Sequence, residues 1–222
     1  MYQEVLKNTI KELESLLSFF KKENRDVYVT SSFQTQSVPL LHIISTYFKE
    51  VKVIFLDTGF LFPETYQFKN TLEKSLGLEV ITITPKISKH LQTDKDSNLF
   101  LYSIDADKCC GINKVSPLDD FWKNGDVWIS GVRRDQSSIR KKMRLVEDRK
   151  GITKVHPMLE WNSKNIHDYI ISNNLPKHPL EKEGYISIGC VPCTHKWSAD
   201  SQRGGRWLGS EKTECGLHIS KN

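Results

Sequence analysis

The sequence predicts an α/β protein: an open, mostly parallel sheet flanked by helices, with a loop-rich C-terminal tail. Three observations carry this. Short β-branched runs alternate with amphipathic helical segments from residue 26 to residue 171, the pattern that builds βαβ units. One run, Val51-Lys52-Val53-Ile54-Phe55-Leu56, is apolar almost throughout, as in a parallel strand covered on both faces. Beyond residue 178 the periodicity stops and Gly, Pro and charged residues take over.

The chain of 222 residues suits a single domain, 1–222, with an N-terminal helix inside 1–24 and a tail at 178–222. Its 32 Lys and Arg against 27 Asp and Glu leave a formal charge of +5, which suits an acidic partner. Phosphate or sulfate esters qualify as well as nucleic acid does. The basic residues are dispersed, and no apolar stretch approaches the ~20 residues needed to cross a bilayer. Nothing at the N-terminus resembles a signal peptide, so a reducing, cytoplasmic setting is expected and disulfides are not.

Residues 5–20 set Val5, Leu6, Ile10, Leu13, Leu16, Leu17 and Phe20 at helical spacing among lysines and glutamates. A strand follows at 26–30, then the polar turn Ser31-Ser32-Phe33-Gln34-Thr35-Gln36-Ser37 and a helix at 38–48. Small hydroxyl residues between a strand end and a helix start can offer N–H and hydroxyl groups to an anion, or merely cap the helix. The apolar strand 51–56 ends in Asp57-Thr58-Gly59, which a parallel sheet would place beside that turn. A helix at 63–76 and a third strand at 78–84 come next, and the stretch to residue 107 reads as one helix plus a loop. A short helix at 117–122 leads to the strand 126–130. This delivers Gly131-Val132-Arg133-Arg134-Asp135-Gln136-Ser137-Ser138-Ile139-Arg140, suited to an oxyanion or to solvent. A last strand is expected at 154–157 and a helix at 165–171, capped at Ser163.

Five cysteines organise the chemistry. Cys109 and Cys110 are adjacent, Cys190 and Cys193 form a C-x-x-C pair, and Cys215 stands alone in Glu214-Cys215-Gly216-Leu217-His218. A C-x-x-C pair serves zinc, a redox couple or an iron–sulfur centre. Adjacent thiolates strain to reach one small ion and sit more easily on a cluster, each on its own iron. The fifth thiol is then left for chemistry.

Ser31-Ser32-Phe33, Leu56-Asp57-Thr58-Gly59 with Phe62-Pro63-Glu64-Thr65, Gly131-Val132-Arg133-Arg134-Asp135-Gln136-Ser137 and the Glu214 to His218 motif resemble the assimilatory sulfonucleotide reductases. These are the adenylylsulfate (APS) and phosphoadenylylsulfate (PAPS) reductases, and the likeness runs from about residue 27 to residue 218. It implies an adenine nucleotide alpha hydrolase-like fold with a modified pyrophosphate loop. Ser31, Ser32, Phe33, Gln34, Thr35, Gln36, Asp57, Thr58 and Gly59 would then hold the nucleotide. Arg133, Arg134, Arg140, Arg203, Arg206 and His218 would complete the substrate site. Members with both cysteine pairs bind a 4Fe–4S cluster, so Cys109, Cys110, Cys190 and Cys193 become its expected ligands, with Lys114 bridging cluster and substrate.

The resemblance further implies that Cys215 attacks the sulfonucleotide as a thiolate and that thioredoxin or glutaredoxin then releases sulfite. A thiol of pKa ~8.5 is only a few per cent ionised at neutral pH, so His218, Lys212 and the arginines are expected to favour the anion. Glu214 opposes it and should face away. The cysteine pairs point to APS. Asn113, where cluster-bearing relatives usually carry arginine, and the PAPS-like Ser31-Ser32-Phe33 turn keep PAPS or dual specificity as the alternative. A tRNA-thiolating enzyme would need a Ser-Gly-Gly-x-Asp-Ser loop, which is absent, and a zinc-dependent nucleic-acid module would leave the Cys215 motif unexplained. No nucleic-acid or membrane partner is expected. A homo-oligomer is compatible with the sequence.

Overall fold

Apolar residues alternate along the strands, and both sets are buried. In the computed structural model, which describes residues 2–196, 205–207, 212 and 214–218, six strands form one sheet. They are β1 (Val27–Ser31), β2 (Lys52–Leu56), β3 (Val80–Ile83), β4 (Val127–Ser130), β5 (Val146–Arg149) and β6 (Ile152–Val155). Their order is β3-β2-β1-β4-β6-β5, parallel throughout except between β5 and β6. The helices are α1 (Tyr2–Lys22), α2 (Val38–Tyr47), α3 (Pro63–Leu76), α4 (Leu101–Ile104), α5 (Ala106–Cys110), α6 (Ser116–Phe121), α7 (Ser138–Lys141) and α8 (Ser163–Ser172).

Val29, Val53, Phe55, Val127, Ile129 and Val155 face the main core with α1, α2, α3 and α8. On the opposite face Tyr28, Ile54, Trp128 and Ile152 pack against Leu118, Phe121, Trp122 and the tail residue Leu217. Each fully buried aliphatic or aromatic side chain contributes roughly 1.5–3 kcal/mol. The sheet is therefore a rigid platform for whatever sits at its carboxyl edge. α1 is tied on by a buried chain in which Trp161 Nε1 donates to Thr9 Oγ1 at 2.9 Å and Thr9 Oγ1 to the Pro157 carbonyl at 3.3 Å.

The structure corrects several expected boundaries. The last parallel strand ends at Val155, so His156 and Pro157 leave the sheet. β5 was not expected. It pairs antiparallel with β6 across a two-residue turn in which Lys150 and Gly151 have φ of +52° and +81°. Such a turn normally announces itself as Asn-Gly or Asp-Gly, and Lys-Gly hides it. The stretch before residue 107 holds two short helices, α4 and the start of α5, and a 3-10 turn at Lys89–Leu91 rather than one helix. α8 is capped by Asn162, whose side chain accepts from the Asn165 N–H at 2.9 Å while Asn165 Oδ1 returns the bond at 3.1 Å. Ser163 is its first residue, not its cap.

Candidate active site

The strand order reverses between β1 and β4, and the carboxyl ends of these neighbours open the crevice where parallel α/β sheets bind ligands. A cavity lies there. Its walls include Thr30, Ser31, Ser32, Gln34, Gln36 and Ser37 from the first turn and Ser130, Gly131, Gln136 and Arg140 from the segment after β4. Lys114, Gly189, Arg206, Trp207, Cys215, Leu217 and His218 close it. Gln36 and Ser37, just before α2, stand on its wall, while the Val38 N–H is taken by the Thr35 carbonyl and Pro39 offers none.

Not every residue expected in the nucleotide site reaches the cavity. Phe33 is fully buried at φ +50° and packs edge-on against Phe55, ring centroids 5.4 Å apart. It anchors the turn in the core, and its N–H donates to Ser31 Oγ at 3.0 Å. Thr35 Oγ1 instead accepts the His178 N–H at 2.9 Å. Asp57 Oδ1 accepts from Tyr66 Oη at 2.6 Å and the Gly59 N–H at 2.9 Å, which stiffens that corner. Thr58 is buried with Oγ1 3.2 Å from Cys190 Sγ. Of this stretch Thr58 contacts a cysteine, and none of Asp57, Thr58 and Gly59 lines the cavity.

The arginines divide in the same way. Arg133 is 1% exposed and spends its guanidinium on Asp135 at 3.0 Å and on Gln36 Oε1 at 2.9 Å, so it positions a wall residue from behind. Arg134 pairs with Glu160 at 3.4 Å, away from the cavity. Arg140 lines the cavity but is clamped by Glu214, with Nη2 to Oε1 at 2.8 Å and Nε to Oε2 at 2.9 Å. Arg206 faces the cavity and donates from Nε to the Cys193 carbonyl at 3.0 Å. Its guanidinium crosses Gly189, where an added Cβ would stand 2.5 Å from Nη2. Arg203 lies outside the described residues.

The two cysteine pairs meet although 80 residues separate Cys110 from Cys190. All four thiols are buried and free, and they bear on one another's ionisation. Burial and then Cys110 push Cys109 up to about 11, while Cys110 and Cys193 also rise, chiefly through burial. Cys190 is held below its ordinary value: burial opposes this, but Lys114, Thr58 and Arg206 prevail. Burial likewise opposes the Lys114 charge, yet Cys190, Cys215 and Cys110 raise it above the ordinary range. A π-helical turn, Gly111–Val115, separates Cys110 from α6 and carries Lys114 toward the sulfurs. Asn113 is buried and donates to the Cys109 carbonyl at 2.9 Å and toward its Sγ at 3.5 Å.

Among the described residues no group of three or more His, Cys, Asp or Glu is set to hold a single metal ion. Four buried thiols near Lys114, Arg206 and Lys212 nonetheless form a donor set that gains from added positive charge, and a metal centre or cluster would supply it.

Cys215 packs against the Cys190, Cys193 and Trp207 cluster and lines the cavity. Glu214 is buried, its charge taken up by Arg140 and Ser137, and Oε1 also accepts the Cys215 N–H at 2.9 Å. Lys212 pairs with Asp107. Gly216–His218 makes one turn, closed by the His218 N–H on the Cys215 carbonyl at 2.9 Å. Gln136 belongs to the stretch expected to suit an oxyanion, whereas Lys154 and Trp128, which meet the tail, were not expected here. Lys154 reads as an ordinary strand lysine, and only the fold brings it to the tail.

A serine-rich turn at the strand-order reversal, with Lys114, Arg140 and Arg206 on the cavity wall, defines an open α/β protein with its crevice at the carboxyl ends of the strands. The family model of the phosphoadenosine phosphosulfate reductase domain matches residues 26–196, and the chain belongs to that family. It is 36% identical over 193 residues to an adenosine 5'-phosphosulfate reductase of Streptomyces coelicolor, covering 86% of this chain and 80% of that one. It is 38% identical over 194 residues to a phosphoadenosine 5'-phosphosulfate reductase of Proteus mirabilis, covering 86% and 79%. The fold is shared with the phosphoadenylyl-sulfate reductase of Candida auris, solved with phosphate, at a TM-score of 0.66 and 24% identity over 86% of this chain and 88% of that one. An NH3-dependent NAD synthetase of Campylobacter jejuni shares it more distantly, at 0.54 and 14% identity over 83% and 79%.

Proposed function

We propose that this chain is an assimilatory sulfonucleotide reductase that converts APS to sulfite and AMP, with Cys215 as the nucleophile. The observation that carries this is the placement of Cys215 on the wall of the cavity that also presents the serine turn, Lys114, Arg206 and His218. The Cys215 thiolate attacks the sulfonate sulfur, the bond from that sulfur to the phosphate oxygen breaks, and AMP leaves with the electron pair. One thiolate of a dithiol donor, thioredoxin or glutaredoxin, then attacks Cys215 Sγ and expels sulfite. The second donor thiol resolves the mixed disulfide and regenerates Cys215. Lys114 and Arg206 offset the repulsion between an anionic nucleophile and an anionic ester.

Cys109, Cys110, Cys190 and Cys193 would hold a 4Fe–4S cluster, which would tie the two cysteine segments together and add to the local field. The paired cysteines favour APS over PAPS by resemblance. Assay of both nucleotides with thioredoxin, beside iron and acid-labile sulfide analysis, tests the reading. The expected result is a higher kcat/KM for APS, with iron and sulfide in equal amounts. Cys215→Ser should keep the brown absorbance and lose sulfite release. An active Cys215→Ser protein removes the nucleophile assignment, and a preference for PAPS reverses the choice of substrate.

A further inference from the structure

Lys154 leaves β6 almost fully buried, with 4% of its surface exposed, and its ammonium meets the tail. Nζ donates to the Leu217 carbonyl at 3.0 Å and lies 3.4 Å from His218 Nδ1. It also sits 4.1 Å above the centre of the Trp128 ring. Trp128 is fixed from below by its Nε1 donating to Thr30 Oγ1 at 2.8 Å, and the His218 ring stacks on it at 6.5 Å and 27°. Leu217 drops into the apolar cluster of Ile54, Leu118 and Trp128. The turn that follows Cys215 is therefore seated in a socket built from β2, β4, β6 and α6, with Lys154 as its polar contact.

We propose that Lys154 is a positioning residue that latches the Cys215 turn shut over the nucleotide cavity, and that letting go of this latch exposes Cys215 to the reductant. The inference rests on the proposed role of Cys215. Two holds flank that residue. On its N-terminal side Arg140 and Glu214 join two permanent charges. On its C-terminal side Lys154 grips a carbonyl dipole, beside the packing of Leu217 and the stacking of His218, and among the described residues no carboxylate lies within ion-pair distance of the ammonium. Of the two charged contacts the second has no counter-charge, so it is the one that lets go.

The surroundings make this hold conditional. Burial, then Arg149 from β5 and Arg140 from α7, bring Lys154 down to about 7, while Glu147 from β5 and Cys215 from the tail pull it up. His156 on the same chain segment and His218 on the tail also face it, and Asp119 of α6, Lys142 after α7 and Asp148 and Lys150 of the β5–β6 hairpin line the same cavity as Lys154. A thiolate at Cys215 favours the charged, gripping lysine. Near neutral pH the ammonium changes charge, and the charge-assisted part of the grip goes with it.

Two variants test the latch without turnover. With AMP bound, Lys154→Met should let iodoacetamide alkylate Cys215 about tenfold faster, the size expected from losing a hydrogen bond to a charged group. The site is read by mass spectrometry, AMP affinity should be unchanged, and Lys154→Arg should restore much of the protection. In the wild-type chain, the exchange protection of the Gly216 to His218 amides, corrected for intrinsic rates, should fall between pH 6.5 and 8.5. It should be low and flat in Lys154→Met. Equal alkylation in wild type and Lys154→Met overturns the proposal, and so does pH-independent wild-type protection, which decides the matter alone if Lys154→Met does not fold. Neither readout needs sulfite production, so loss of the Cys215 nucleophile assignment would be recognised separately.

Discussion

The Glu214 carboxylate forks onto the Arg140 guanidinium, Oε1 2.8 Å from Nη2 and Oε2 2.9 Å from Nε, and Oε1 also accepts the Cys215 N–H. The acidic residue beside the proposed nucleophile thus acts as a brace. Its charge is spent on the arginine rather than on the thiol, and Arg140 is a tail clamp as well as a cavity wall.

Glu214→Gln keeps the shape of this brace and removes the carboxylate charge that faces the buried Arg140. Breaking one side of such a pair costs about 3–5 kcal/mol where the loss is fully felt. The tail can yield instead of the sheet, so the expected outcome is a 10- to 100-fold slower single-turnover transfer to Cys215, roughly 1.4–2.7 kcal/mol of barrier. The melting temperature should change little. A large fall in Tm with transfer unaffected would show the brace to be structural only.

Thr58 Oγ1 lies 3.2 Å from Cys190 Sγ and accepts the Phe60 N–H at 3.3 Å. Thr58→Val preserves the volume and removes the hydroxyl, at a cost of about 1 kcal/mol at the sulfur. With the proposed cluster in place, iron loss to a chelator should be about fivefold faster, followed through the decay of the visible absorbance. A decay indistinguishable from wild type would remove Thr58 from the support of the sulfur site.

His156 is 0% exposed, and its side chain is held neutral in the fold, its pKa lowered to about 4 by burial first and then by Lys154. Glu147, 3.4 Å from Nε2, opposes this without prevailing. Because the folded value lies below the unfolded value of ~6.5, the contribution to stability is complete above about pH 6.5 and is lost as pH falls through about 4. Denaturant unfolding should show a loss on the order of a few kcal/mol across that window. His156→Leu should flatten it, and an unaltered slope would assign the acid sensitivity to other groups.

By itself the sequence determined the sheet and its chemistry-bearing cysteines. The continuous apolar run of Val53, Ile54, Phe55 and Leu56, helical spacing in α1, and the Cys109-Cys110, C-x-x-C and Glu214 to His218 patterns are local properties of the chain. Spacing along a backbone carries them. What only the tertiary structure decided is which cations and hydroxyls face the cavity. Arg133 and Arg134 turn away because Asp135, Gln36 and Glu160 claim them, whereas Arg206 turns into the cavity and the unremarked Lys154 turns to the tail. The Lys-Gly turn hid β5, and Thr58 serves a sulfur 132 residues away. A long polar side chain adopts the direction set by whichever partner burial brings to it, and that partner is chosen by the fold rather than by its neighbours in sequence.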